Sequence, residues 1–123
     1  MLYAILAYHE EGAVAALTDE EDSGLMAELY AAHDRIDAAG RLGPAARLDF
    51  TASAVTLRGS AEAMVLDGPF AETKEQLLGL YVVEFDTIEG AVEAARELRR
   101  VNTTAVYEIR PITTYRPGRP VEG

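Results

Sequence analysis

The chain has 123 residues, 49% of them hydrophobic, no cysteine, and a formal net charge of −10. That length suits one compact domain with one core, and the lack of cysteine excludes disulfides, thiolate catalysis and cysteine-ligated metals. So acidic a chain is repelled by phosphate backbones and anionic lipid, which sets aside nucleic acid and membrane surfaces as partners and leaves a basic protein partner open.

Residues Leu2 to Tyr8 read as a strand: short, apolar and partly aromatic, with both faces apolar. The opening Met1-Leu2-Tyr3-Ala4-Ile5-Leu6 lacks the charged start and cleavage site of a secretory signal. No apolar run approaches the roughly 20 residues of a membrane span, so the expected location is the cytoplasm. A helix is predicted from Thr18, where Thr18-x-x-Glu21 fits a capping box and Asp19, Glu20 and Glu21 complement the helix dipole. Leu25, Leu29, Ala32 and Ile36 form its buried stripe. Gly24 loosens its first turns, and Gly40 is expected to supply a left-handed stop.

The section Ala45 to Leu66 reads as short antiparallel strands, with Ala54–Arg58 and Glu62–Leu66 flanking a Gly59-Ser60 turn. A turn at Asp67-Gly68-Pro69-Phe70 follows, in which Gly68 takes a positive φ, Pro69 fixes the next φ, and Phe70 is driven into the core. Leu77–Phe85 is the clearest strand, again apolar on both faces. A second helix is predicted over Thr87–Arg100 on a stripe of Ile88, Ala91, Val92, Ala95 and Leu98, and a last strand over Ala105–Ile112. The division is one α+β domain over residues 1–112, with a tail at 113–123 rich in proline, glycine and arginine, either mobile or draped over a partner.

The βαβ-plus-βαβ order predicts a ferredoxin-like antiparallel sheet with both helices on one face. Two helices cover one face only, yet Leu2–Tyr8 and Leu77–Phe85 are apolar on both. An uncovered face of that kind exceeds the few hundred Å2 that soluble monomers tolerate. A second copy is the simplest cover, giving a homodimer; the alternative is that the middle hairpin or the tail folds across it.

The nonapeptide Asp67-Gly68-Pro69-Phe70-Ala71-Glu72-Thr73-Lys74-Glu75, followed by an apolar strand, resembles the DGPF signature of the YCII-related family. The likeness runs from Met1 to about Ile112, taking in the helix end Ala38-Ala39-Gly40 and the closing Glu108-Ile109-Arg110-Pro111-Ile112. The resemblance implies a dimeric α+β barrel, in which two ferredoxin-like subunits stack their sheets and leave a cleft at the interface. Some YCII-related proteins use a His–Asp pair in catalysis, but counting back from Gly40 puts Leu29 at the histidine's position, so the pair is not present by motif. DGPF-type proteins also resemble companions of extracytoplasmic-function sigma factors.

Two readings of function follow. In the first, the dimer binds or transforms a small organic acid in the interface cleft without a cofactor. Asp67 moves a proton, Lys74 holds the carboxylate, and His9, Glu72 and Tyr81 complete the lining. Asp67 has a plainer role as a turn residue accepting backbone hydrogen bonds, and whether the chain is an enzyme stays open. His33 reads as a half-exposed helix residue in reach of Asp37. No metal site is expected from two histidines without close spacing. In the second reading the chain is an accessory or regulatory protein acting through protein–protein contact, linked to sigma-factor signalling. A dimeric scaffold without a ligand is a third.

Overall fold

Burial alternates without a break along strand β1 (Leu2–His9). Tyr3, Ile5, Ala7 and His9 are buried, while Leu2, Ala4, Leu6 and Tyr8 on the other face stay part-exposed. The computed structural model describes residues 1–60 and 62–123. A short helix α1 (Glu11–Ala15) follows β1; it buries none of its residues, which is why no apolar stripe announced it. Helix α2 (Asp19–Ala39) starts on the predicted capping box. Thr18 Oγ1 accepts from the Glu21 backbone N at 3.1 Å, and Glu21 Oε1 accepts from the Thr18 backbone N at 3.0 Å. Leu29, Ala32 and Ile36 of its stripe are buried and Leu25 is half-buried.

Gly40 ends α2, but not in the left-handed conformation expected: its φ is −151°. The glycine is needed for a different reason. A Cβ there would lie 2.5 Å from Phe85 Cε1 and 2.8 Å from the Glu84 carbonyl oxygen. Asp37 Oδ1 accepts from the Leu42 backbone N at 2.9 Å and fastens the turn into strand β2 (Arg41–Arg47). This strand begins earlier than the sequence suggested, and Ala45–Arg47 belong to the main sheet instead of a local hairpin. Gly43-Pro44 disguised it; the register slips between Leu42 and Ala45, and an edge strand accommodates a proline at such an irregularity.

After a 3-10 turn at Thr51–Ser53, strands β3 (Val55–Arg58) and β4 (Met64–Asp67) form a separate two-stranded hairpin. Gly68 has the predicted positive φ, +97°. Its backbone N donates to the Ala54 carbonyl at 2.8 Å, and Thr56 Oγ1 donates to its carbonyl at 2.8 Å. The turn therefore folds back on a hairpin that has no core of its own, and Phe70 is 77% exposed, not buried as expected.

Strand β5 (Gln76–Glu84), helix α3 (Ile88–Val101) and strand β6 (Val106–Pro111) complete the fold. Residues 113–123 carry no helix or strand and are exposed throughout. The main sheet is antiparallel, in the order β2-β5-β1-β6, with Ile5 opposite Tyr81 on one side and Ile109 on the other. Helices α2 and α3 pack on one face of it. There Tyr3, Ile5 and Val83 join Leu29, Ala32 and Ile36 of α2 and Ala91, Ala94, Ala95 and Leu98 of α3 in one core. The opposite face presents Leu2, Ala4, Leu6 and Tyr8 beside Leu77, Leu80 and Val82, none of them fully buried.

Candidate functional site

The helix-side face of the sheet changes character along its length. Toward the start of β1 its side chains are large: Tyr3 stands opposite Val83, and Leu42 meets the same valine from β2. Toward the end of β1 they shrink. Ala7 stands opposite Gly79, and Ala45 opposite Tyr81. Small residues on a sheet cannot fill the space beneath a helix layer. A cavity of about 980 Å3 opens here, walled by Val14 of α1, Leu17, Leu25 and Leu29 of α2 and its approach, and Val101 at the end of α3. That is at the upper end of what drug-sized ligand sites offer, and a mainly apolar wall with a few convergent polar groups is their usual form.

Three polar groupings line it. His9 is 6% exposed, with Nε2 at 3.3 Å from Asn102 Nδ2, and its buried Nδ1 has no hydrogen-bond partner. With the amide as donor, Nε2 accepts and the ring proton sits on Nδ1. Burial first, and the Arg47 guanidinium second, hold the His9 pKa below the ordinary 6.5, so the ring is neutral at neutral pH.

The second grouping lies on α2 and β5. His33 Nε2 is 3.1 Å from Tyr81 Oη, with the rings edge-on at 5.2 Å between centroids. Tyr30 adds a second edge contact at 5.8 Å. Burial lowers the His33 pKa, opposed by Asp34, and burial raises that of Tyr81. The phenol therefore stays protonated beside a neutral imidazole, and the His33 tautomer decides which of the two donates. Tyr107 of β6 is also held protonated, chiefly by burial.

The third is Arg47 of β2, set in register with Gly79. Its two terminal nitrogens meet the two carboxylate oxygens of Asp22 on α2 at 3.1 and 3.0 Å, a bidentate pair bridging β2 and α2. Among the described residues it is the one cationic side chain lining the cavity.

Of the residues singled out in the sequence, His9 and Tyr81 meet in this cavity. Asp67, Glu72 and Lys74 are exposed and stand outside its walls: Asp67 ends β4 opposite Val55, and Lys74 Nζ pairs with Glu10 Oε1 at 3.2 Å. His33 turns to Tyr81, while Asp37 serves the α2–β2 turn. Leu29 is a buried wall residue. Arg47, Asn102 and Tyr107 were missed, because no local motif links residues that only the sheet register brings together. Among the described residues, no group of three or more His, Asp or Glu side chains could hold a metal ion, and no helix is long and apolar enough to cross a membrane.

Sheet, helices and cavity together define a small α+β domain with a ligand-sized cleft between sheet and helices, open to solvent along β2. A profile of the YCII-related domain matches residues 1–116. The uncharacterized protein R00369 of Rhizobium meliloti (strain 1021) is 48% identical over 120 residues, covering 96% of this chain and 97% of that protein. The chain belongs to the YCII-related family.

Proposed function

We propose that this protein binds a small, largely apolar organic acid in the cavity between sheet and helices, without a cofactor. The carrying observation is the convergence on one apolar chamber of two neutral imidazoles, His9 and His33, with Tyr81, Tyr107 and Arg47. A neutral imidazole beside a protonated phenol can accept or relay a proton, so the same site is equipped for cofactor-free proton transfer. This reading moves the cleft from a subunit interface into the subunit itself, and it assigns no ligand role to Asp67, Glu72 or Lys74.

The strand order β2-β5-β1-β6, with antiparallel neighbours throughout, supports a ferredoxin-like domain. The part-exposed Leu2, Ala4, Leu6, Leu77, Leu80 and Val82 on the far face support a homodimer that stacks these faces into a barrel. Leu6→Glu should then convert the dimer to a monomer in sedimentation equilibrium; a wild type already monomeric at micromolar concentration contradicts the barrel.

The test of the site is a titration of imidazole nitrogen resonances with small carboxylic acids and phenols. Binding should move His9 and His33 together. A ligand that instead moves only resonances of Leu6 and Leu80 overturns the assignment to this cavity. One observation favours the second reading, a regulatory contact with another protein such as a sigma factor. The hairpin presents Leu57 and Val65 side by side, 69% and 67% exposed. Leu57→Asp should abolish binding to a purified extracytoplasmic-function sigma factor, and undiminished binding removes the hairpin from that role.

A further inference from the structure

Arg47 is placed unlike any other cation of the molecule. It leaves β2 opposite Gly79, where no side chain competes for space, and it contributes to the wall of the cavity. Its charge is felt at the buried His9. The group it holds, Asp22, does not line the cavity, and both side chains keep part of their surface in solvent, 47% for Arg47 and 33% for Asp22. A half-solvated ion pair is weak and exchanges its partner at little cost.

The fork of Arg47 thus already grips a carboxylate in the two-point geometry that guanidinium groups offer to carboxylic acids. The other charged groups on the wall, Glu21, Glu28 and Asp49, are exposed, as Arg47 itself is. Two of them are already engaged, Glu21 in the capping box and Asp49 by the Phe50 backbone N at 2.8 Å. They repel an anion left in the mouth without offering it a second anchor.

We infer that Arg47 is the specificity residue of this cavity and that its ligand is a monocarboxylate, whose carboxylate takes over the guanidinium from Asp22. Asp22 is then a built-in competitor that occupies the anchor until a ligand arrives. No bond is made or broken in the exchange; one carboxylate replaces another, and Asp22 returns to water. The apolar wall at Leu25, Leu29 and Val101 receives the body of the acid, and a hydroxyl on that body finds His33 and Tyr81. The inference rests on the cavity being the ligand site.

The experiment uses 4-hydroxybenzoate and its uncharged methyl ester as calorimetric probes. Wild type should bind the acid about ten- to a hundredfold more tightly than the ester, the span of a charge-assisted bidentate contact. Arg47→Gln should abolish that preference, and Arg47→Lys should restore part of it. Asp22→Asn should strengthen acid binding by about two- to fivefold, the worth of a surface ion pair removed from competition. Equal binding of acid and ester, both lost in a cavity-filling Ala7→Leu protein, overturns the role of Arg47 and leaves the cavity standing. Acid binding that Ala7→Leu does not weaken overturns the cavity itself. Failure of both probes to bind at millimolar concentration overturns the two together.

Discussion

The two ends of one sheet face differ more from each other than the sheet differs from its surroundings. Around Tyr3, Ile5 and Val83 the side chains are large and meet Ile36 and Leu98, each 2% exposed or less, in a closed core. Around Ala7, Gly79 and Ala45, a few residues further along the same strands, small residues alternate with Tyr81 and Tyr107, and a cleft opens toward the exposed Ala45. The β1–β5 register slips between Ala7 and Tyr8, at the open end, and the β2–β5 register slips between Leu42 and Ala45, so backbone irregularity and side-chain volume together separate the two ends. The closed end holds the fold together, and the open end gives up packing for a site where His9 is buried with an unsatisfied nitrogen.

Truncation should separate the two ends most sharply. At the closed end Ile36→Ala should cost about 2–5 kcal/mol in chemical denaturation, the usual range for emptying a filled core position. At the open end Leu25→Ala, half-buried on the cavity wall, should cost about 1 kcal/mol, because that space already lacks neighbours on one side. Equal costs at the two positions would mean that the chamber is not open in solution.

Acidity should act first on the histidines of the open end. His9 and His33 both have pKa values depressed by burial, so the unfolded chain binds protons more readily than the folded one. Stability should be full above the unfolded value of 6.5 and fall as pH drops through and below it. Replacing both histidines by glutamine should flatten the melting temperature between pH 7 and 5 relative to wild type. A slope unchanged in the double variant would assign the acid response to carboxylates elsewhere.

The smallest effects belong to the hairpin, which takes no part in either end. Phe70→Ala should stay within about 0.5 kcal/mol of wild type, since the ring is exposed. Asp67→Asn should leave both the melt and the response to 4-hydroxybenzoate unchanged. A Phe70 variant that loses several kcal/mol would show that another surface covers the ring.

Much of the closed end was legible in the sequence because its causes are local or periodic. Thr18 and Glu21 name the start of α2, and Leu29, Ala32 and Ile36 repeat at helical spacing. Alternation along Leu2–Tyr8 gave away a strand with two apolar faces. The hidden start of β2 was a failure of local signals, since Gly43-Pro44 looks like a loop and becomes strand only at a sheet edge. Phe70 misled for the opposite reason: an aromatic after a rigid turn suggests a core, but this turn belongs to a hairpin without one. The open end was half legible. His9 and Tyr81 stood out as chemistry-bearing residues on strands, whereas Arg47, Asn102 and Tyr107 join them only through register and helix placement. The absence of bulk at Ala7 and Gly79, which makes the chamber, has no motif at all.

The central claim is that the space above Ala7 is a ligand site and not a packing defect. Its most direct test is Ala7→Leu set beside Ala32→Leu, with melting and 4-hydroxybenzoate binding measured on both. Ala32 is fully buried in the closed core, and enlarging it should cost about 1–3 kcal/mol through overpacking. Ala7→Leu should no longer bind the acid and should lose less stability than Ala32→Leu, because Ala7 stands on the cavity wall whereas Ala32 is enclosed by the core. An Ala7→Leu protein as destabilised as the Ala32→Leu one, or one that binds the acid like wild type, would contradict the account.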